Sequence, residues 1–154
     1  LRQQPRRSRP IQNEAEAAER LLRNNPRLDP TQAKNLVPHL LKPTADGLEW
    51  AFDSRASSVF VGASRDNDAK FWRNILAPCC VISGMLSHEY WGAEMGNDTF
   101  DGRFAENEMQ QRIDLFNDCE HHWFENSGHM VHYDEPGRLA DVCLAFFTEK
   151  LSLT

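Results

Sequence analysis

The segment of this chain that says most about its fold is Glu125-Asn-Ser-Gly-His-Met-Val-His-Tyr-Asp-Glu-Pro136. It follows a short apolar segment at residues 122–124, turns at Gly128 and presents the imidazole of His129. Pro136 is predicted to lie in the first turn of an amphipathic helix, a position where proline is common. That helix is predicted to carry four apolar residues toward a core, namely Leu139, Val142, Phe146 and Phe147. The sequence therefore places His129 in a loop between a strand and a helix.

A second apolar run, Pro78-Cys-Cys-Val-Ile-Ser-Gly84, has strand length and ends in glycine, as expected of a strand buried on both faces. A polar loop over residues 87–103 and a helix separate it from the strand predicted at residues 119–124. The helix presents Met109, Ile113 and Phe116. Strand, helix, strand and helix in this order predict an α/β fold with two parallel strands joined by a crossover.

These segments resemble the last two strands, the catalytic histidine and the closing helix of the α/β-hydrolase family. In such folds catalytic groups lie at the carboxyl ends of parallel strands, which is where Gly84 and His129 stand. The resemblance implies that His129 is the general base that activates a serine hydroxyl, in an enzyme that hydrolyses an ester or a related carbonyl-linked bond. It implies a small-molecule substrate and neither a metal nor an organic cofactor. Trp91 and Met130, near the catalytic loop, either line the substrate pocket or belong to the core.

The acid of the expected triad is the main departure from the family. The family usually has a carboxylate three residues after the strand-ending glycine, and this sequence has Ser87 there. Glu89 is the nearest substitute, and the same loop offers further acids at Glu94, Asp98 and Asp101. The alternatives are an acid that lies upstream of Leu1, as in relatives that supply it from the sixth strand, and a defective triad.

The nucleophile elbow Gly-x-Ser-x-Gly occurs nowhere in the 154 residues. The nearest string runs from Val59 to Asp66 and offers Ser64, but Asp66 replaces the final glycine, so a loop is the favoured interpretation. A complete domain of this family needs more than about 200 residues, and the chain begins at Leu1. We therefore expect a C-terminal fragment of a hydrolase that is inactive by itself.

Residues 1–76 read as helices joined by polar loops. One helix follows Asn13 and another opens at Asp29-Pro30, and both positions are typical of helix starts. An alternating segment at residues 47–53 and a short helix ending near Leu76 complete this part. Together they resemble the helical cap that the family inserts before its seventh strand. The predicted organisation is a cap over residues 1–76 and the C-terminal part of the hydrolase core over residues 77–154.

The composition is that of an ordinary globular protein, with 40% apolar residues, 26% charged residues and a formal charge of −6. No apolar run approaches the length of a membrane span, and no signal peptide is recognisable. Four cysteines without such a signal predict reduced thiols and a cytoplasmic location. Four arginines among the first ten residues lack the interleaved aromatics of a nucleic-acid platform, so neither a nucleic acid nor a membrane is an expected partner.

The sequence has features of two other classes of protein, a metal-binding domain and a noncatalytic interaction domain. A metal-binding domain would use the potential ligands near the C-terminal strand, which are Cys119, His121, His122, His129 and His132. The spacing does not favour such a site, because no Cys-x-x-Cys pair is present and adjacent histidines on a strand point apart. A noncatalytic interaction domain with the same fold is favoured by Ser87 at the acid position and opposed by the Gly128-His129-Met130 motif.

Overall fold

The computed structural model describes residues 9–53, 56, 65–95, 103 and 105–152. The chain divides into two compact units, residues 1–63 and residues 64–154. Each unit has secondary structure of its own.

The first unit contains the two helices that the sequence predicts, α1 (Glu14–Asn24) and α2 (Pro30–Leu40). Their starts are fixed by side-chain caps: the Asn13 amide oxygen accepts from the Glu16 N–H, and Asp29 accepts from the first-turn N–H groups of α2. The two helices contact each other, and the buried apolar residues of this unit are Ile11, Ala17, Ala18, Leu21, Leu28, Ala33 and Val37.

A hairpin that the sequence did not predict in full follows α2. Strand β1 (Leu41–Thr44) pairs antiparallel with β2 (Gly47–Trp50), which lies within the predicted alternating segment. Gly47 has a φ of +129°, which only glycine adopts readily. Ile11 adds to the pair through two backbone hydrogen bonds with Leu48, of 2.8 and 2.9 Å, so the hairpin closes against the start of the unit.

The second unit is built on the predicted parallel pair, β3 (Cys79–Gly84) and β4 (Cys119–Phe124). Their register is in step from Cys79 opposite Cys119 to Gly84 opposite Phe124. The connection between them contains α4 (His88–Met95) and α5 (Glu106–Ile113). After β4 come the single turn α6 (Val131–Asp134) and the long helix α7 (Pro136–Leu151). The α/β fold class and the parallel crossover are confirmed.

One predicted loop is wrong in its first half. The polar segment over residues 87–103 was expected to lack secondary structure, whereas α4 occupies residues 88–95. The Ser87 carbonyl accepts from the N–H groups of Tyr90 and Trp91 at 3.1 and 3.2 Å and so starts the helix. Apolar and polar residues are scattered around α4 without a stripe, which is why the sequence pattern did not indicate it.

The helix α3 (Arg65–Arg73) belongs to the second unit. Trp72 stacks on Phe116 with ring centroids 5.6 Å apart. The Asn117 amide donates to the carbonyls of Arg73 and Ile75 at 3.0 and 2.8 Å. The compact units separate between residues 63 and 64, before this helix, whereas the predicted cap ends after it. The interpretation of residues 1–76 as a cap stays a prediction.

The helix α7 runs back along β4 in the opposite direction. Near its start the Arg138 guanidinium lies 4.2 Å from the ring centroid of Phe124, at the end of β4. Near its end Lys150 forms an ion pair with Asp118 at 3.5 Å, just before β4 begins. The expectation that Phe147 faces the core is wrong, because this side chain is 58% exposed.

All four cysteines are free thiols, as the sequence predicts. Within the described ranges, no helix combines the length and the apolar character that crossing a membrane requires.

Candidate active site

The loop that carries His129 is pressed against the end of β3. A Cβ atom built on Gly84 would lie 2.1 Å from the Gly128 carbonyl oxygen, so no side chain fits at residue 84. Two backbone hydrogen bonds join the same segments: the Met85 N–H donates to Phe124 O at 3.0 Å, and the Leu86 N–H donates to Ser127 O at 2.9 Å. The glycine that ends β3 is therefore what allows the histidine loop to close over the strand ends.

Two carboxylates accept hydrogen bonds from the loop that carries His129. Ser127 is fully buried, and its hydroxyl donates to Glu135 Oε2 at 2.6 Å. The Gly128 N–H donates to Asp134 Oδ2 at 2.7 Å. Hydrogen bonds to ionised carboxylates are stronger than those between neutral groups. Asp134 and Glu135, which directly precede Pro136, thus position the two residues before His129.

The imidazole of His129 lies against two aromatic side chains of α4. Tyr90 stacks on it with centroids 4.4 Å apart and ring planes 17° from parallel. Trp91 meets it edge-on at 4.8 Å. Stacking holds the ring through its face, and the two nitrogens of an imidazole lie at the ring edge, where proton transfer takes place. The loop and α4 together set both the position and the tilt of this ring.

The environment of His129 favours its neutral form. Partial burial lowers the pKa of His129 from its ordinary value, and the nearby charge of His132 lowers it further. A histidine with a depressed pKa stays unprotonated at lower pH than a solvated one. It can therefore accept a proton, which is the property that a general base needs.

The predicted acid, Glu89, lies in the first turn of α4, next to Tyr90, and its side chain is exposed. The structure thus brings Glu89 into the helix that contacts His129, while its role as the acid stays a prediction. Glu94 lies in the same helix. Asp98 and Asp101 lie outside the described residues, as does the serine of the nearest elbow-like string, Ser64.

Of the two residues predicted to line a pocket, one lies on α4 and the other follows His129 in the chain. Trp91 contacts the His129 ring, and Met130 is half-buried at the start of α6, where its carbonyl accepts from the Tyr133 N–H at 2.9 Å. Their predicted role in binding a substrate stays a prediction. Tyr90 was missed because it falls in the segment that was interpreted as a loop, although an aromatic pair beside a candidate catalytic loop is a usable signal.

Comparisons with known proteins bear on the fold. No family model and no curated protein sequence matches the chain. Among solved structures, a thioesterase domain from the curacin biosynthetic pathway matches with a TM-score of 0.66 and 18% identity, over 92% of this chain and 46% of its own. An E-2-(acetamidomethylene)succinate hydrolase matches with a TM-score of 0.68 and 13% identity, over 92% of this chain and 47% of its own. A hypothetical protein of Pseudomonas aeruginosa PAO1 matches with a TM-score of 0.57 and 19% identity, over 93% and 47% of the two chains.

The thioesterase domain and the succinate hydrolase are α/β-hydrolase fold proteins, and this chain has part of that fold. The chain spans about half the length of the solved structures it matches. The resemblance inferred from residues 78–84 and 119–136 is thereby confirmed at the level of the fold.

Proposed function

We propose that this chain supplies the general base, His129, of a serine-type α/β-hydrolase that cleaves an ester or a related carbonyl-linked bond. The observation that carries the proposal is the placement of His129 beyond the carboxyl end of β4, on a loop clamped against the end of β3. Catalytic groups of parallel α/β sheets lie at this edge. Two of the solved structures that share the fold are named as a thioesterase domain and a hydrolase, which favours hydrolysis over other chemistry.

In this mechanism His129 takes the proton of the serine hydroxyl as that oxygen attacks the carbonyl carbon, and later delivers the proton to the leaving group. The lowered pKa of His129 supports the first step, because it keeps the imidazole neutral before the attack. Tyr90 and Trp91 restrict rotation of the ring, which saves the entropy of orienting the base at each turnover.

The serine nucleophile is proposed to lie in a part of the hydrolase fold that these 154 residues do not include, because they contain no Gly-x-Ser-x-Gly elbow. A serine-directed fluorophosphonate tests this directly. This chain alone should not be labelled stoichiometrically and should not hydrolyse activated esters above background. Labelling at Ser64 would contradict the proposal and would identify a nucleophile within the chain.

Glu89 is proposed as the acid that orients His129, and an NMR titration of the histidine ring tests it. A carboxylate that accepts a hydrogen bond from the imidazolium favours the charged form, so Glu89→Gln should lower the pKa of His129. Glu149→Gln, on the exposed end of α7, is the matched control and should leave the titration unchanged. An unchanged pKa in Glu89→Gln would exclude Glu89 as the partner and favour an acid supplied by another part of the fold.

A further inference from the structure

The strand β4 is unusually polar for its position. Parallel strands that lie under helices are normally continuous apolar runs, yet β4 contains Glu120, His121 and His122 in succession. Because side chains alternate along a strand, Glu120 and His122 share one face of the sheet and His121 lies on the other. His121 is accounted for by a 2.9 Å contact between its Nε2 and the Ser83 hydroxyl on the neighbouring strand.

The neighbouring strand β3 brings a third metal-ligating residue to Glu120 and His122. Cys80 on β3 is the register partner of Glu120, so its thiol projects from the same face as Glu120 and His122. One potential ligand atom from each of these three residues lies within 4.8 Å of both others, and all three side chains are half-buried. This set shares only His122 with the ligands that the sequence alone suggested, because it depends on the register between two strands 40 residues apart.

The spacing of these atoms suits a metal ion better than a direct ion pair. His122 Nε2 and Glu120 Oε2 are 3.5 Å apart, which is longer than the ~2.7–2.9 Å of a charge-assisted hydrogen bond. Ligand bonds of about 2.0–2.3 Å in a tetrahedral zinc site put neighbouring ligand atoms roughly 3.3–3.8 Å apart. The imidazole and the carboxylate are already at the distance expected between two ligands of such a site, and the Cys80 sulfur lies within 4.8 Å of both.

We propose that Cys80, Glu120 and His122 form a binding site for a divalent transition-metal ion, with Zn²⁺ as the best fit. One sulfur, one oxygen and one nitrogen ligand are within the set that zinc accepts, and three protein ligands leave the fourth position for water. A thiolate and a carboxylate would together neutralise the charge of the ion. The ion would bridge β3 and β4, away from the loop of His129. The proposal does not depend on the catalytic role of His129.

Cobalt titration of the untagged, metal-free and reduced chain tests the site. We expect one Co²⁺ per chain, a near-ultraviolet sulfur-to-cobalt charge-transfer absorption, and loss of that absorption when Zn²⁺ is added. Cys80→Ser should abolish the absorption, and His122→Asn should weaken the affinity roughly 100-fold or more, since even partners outside the ligand set change metal affinity by about 10- to 100-fold. Zn²⁺ should also raise the thermal unfolding midpoint of the wild type, because the ion binds only the folded arrangement.

The matched controls are Cys79→Ser and His121→Asn, which change the same residue types at adjacent positions on the opposite face of the sheet. Both should retain the cobalt absorption and the wild-type affinity. The proposal is overturned if the wild type shows no sulfur-to-cobalt absorption, or if Cys80→Ser and His122→Asn bind cobalt as tightly as the controls do. Circular dichroism of each variant shows whether it is folded. If a variant is unfolded, the cobalt titration of the wild type alone tests the proposal.

Discussion

The placement of the catalytic candidate depends on a few residues whose type is dictated by space and hydrogen bonding. Gly84 has no room for a Cβ, since that atom would meet the Gly128 carbonyl at 2.1 Å. Gly137, at the start of α7, has nothing within 4 Å of its Cβ position. Only Gly84 therefore has a steric reason to be glycine, and substitution separates the two positions.

Gly84→Ala should destabilise the second unit by about 1–3 kcal/mol or more, because the new methyl group meets backbone atoms that cannot move aside without breaking the loop. Gly137→Ala should be neutral or stabilising by up to ~1 kcal/mol, because alanine is the better helix former. Urea unfolding of both variants measures the difference. Equal stability of the two variants would show that β3 and the histidine loop do not approach as described.

His129 should titrate below its ordinary pKa of 6.5 in an NMR experiment, because burial and the charge of His132 both disfavour the imidazolium. Substituting His132→Asn removes the second cause and should raise the pKa of His129 part of the way back. His39→Asn, in the first unit, is a control that should leave it unchanged. An unchanged pKa of His129 in His132→Asn would contradict the described environment of the ring.

At the scale of elements, the sequence predicted those segments whose local signals agree with their surroundings. Strand β3 is an apolar run ended by glycine, and α1 and α2 begin at Asn13 and Asp29, whose side chains cap them in the structure. Strand β1 was missed because Pro43 removes a backbone donor and argues against a strand, although a two-stranded pair has open edges that tolerate it.

The candidate site was predictable in part. The motif around His129 and the strand before it indicated the position of the imidazole, because both signals are local in sequence. The stacking of Tyr90 and the hydrogen bonds of Asp134 and Glu135 were not predictable, since they depend on a helix without an apolar stripe and on the path of the loop. Contacts of this kind are set by tertiary structure and leave no periodic signal.

The loop after β4 depends on Ser127 for its internal support, and Ser127→Ala should cost about 1–3 kcal/mol of unfolding free energy. The reason is that the Glu135 carboxylate loses the 2.6 Å hydrogen bond from a fully buried hydroxyl. Ser152→Ala is the matched control: its hydroxyl donates to the Glu149 carbonyl at the exposed end of α7, so its loss should change stability by less than about 0.5 kcal/mol. Equal effects of the two substitutions would contradict a structural role for the buried serine.

At the scale of the whole molecule, the chain combines a small unit of two helices and a hairpin with a second unit that holds the strand ends and the candidate base. It spans about half of the hydrolase-fold structures it matches. Under the proposed function, His129 acts only together with a serine nucleophile, so the proposal is tested in a polypeptide that contains both. There, removal of the base should lower the rate by roughly 10²–10⁴-fold.

The assignment of His129 as the general base is tested most sharply by the pH dependence of kcat/KM for an activated ester. The protein to use is a polypeptide that carries both this chain and the nucleophile elbow. Activity requires neutral His129, so it should fall as the pH drops, with its midpoint at the pKa of His129. In His132→Asn this midpoint should move upward together with the pKa of His129 measured by NMR, and His129→Gln should lose the activity. An acid limb that ignores the His132 substitution, or hydrolysis that survives His129→Gln, would contradict the assignment of His129 as the base.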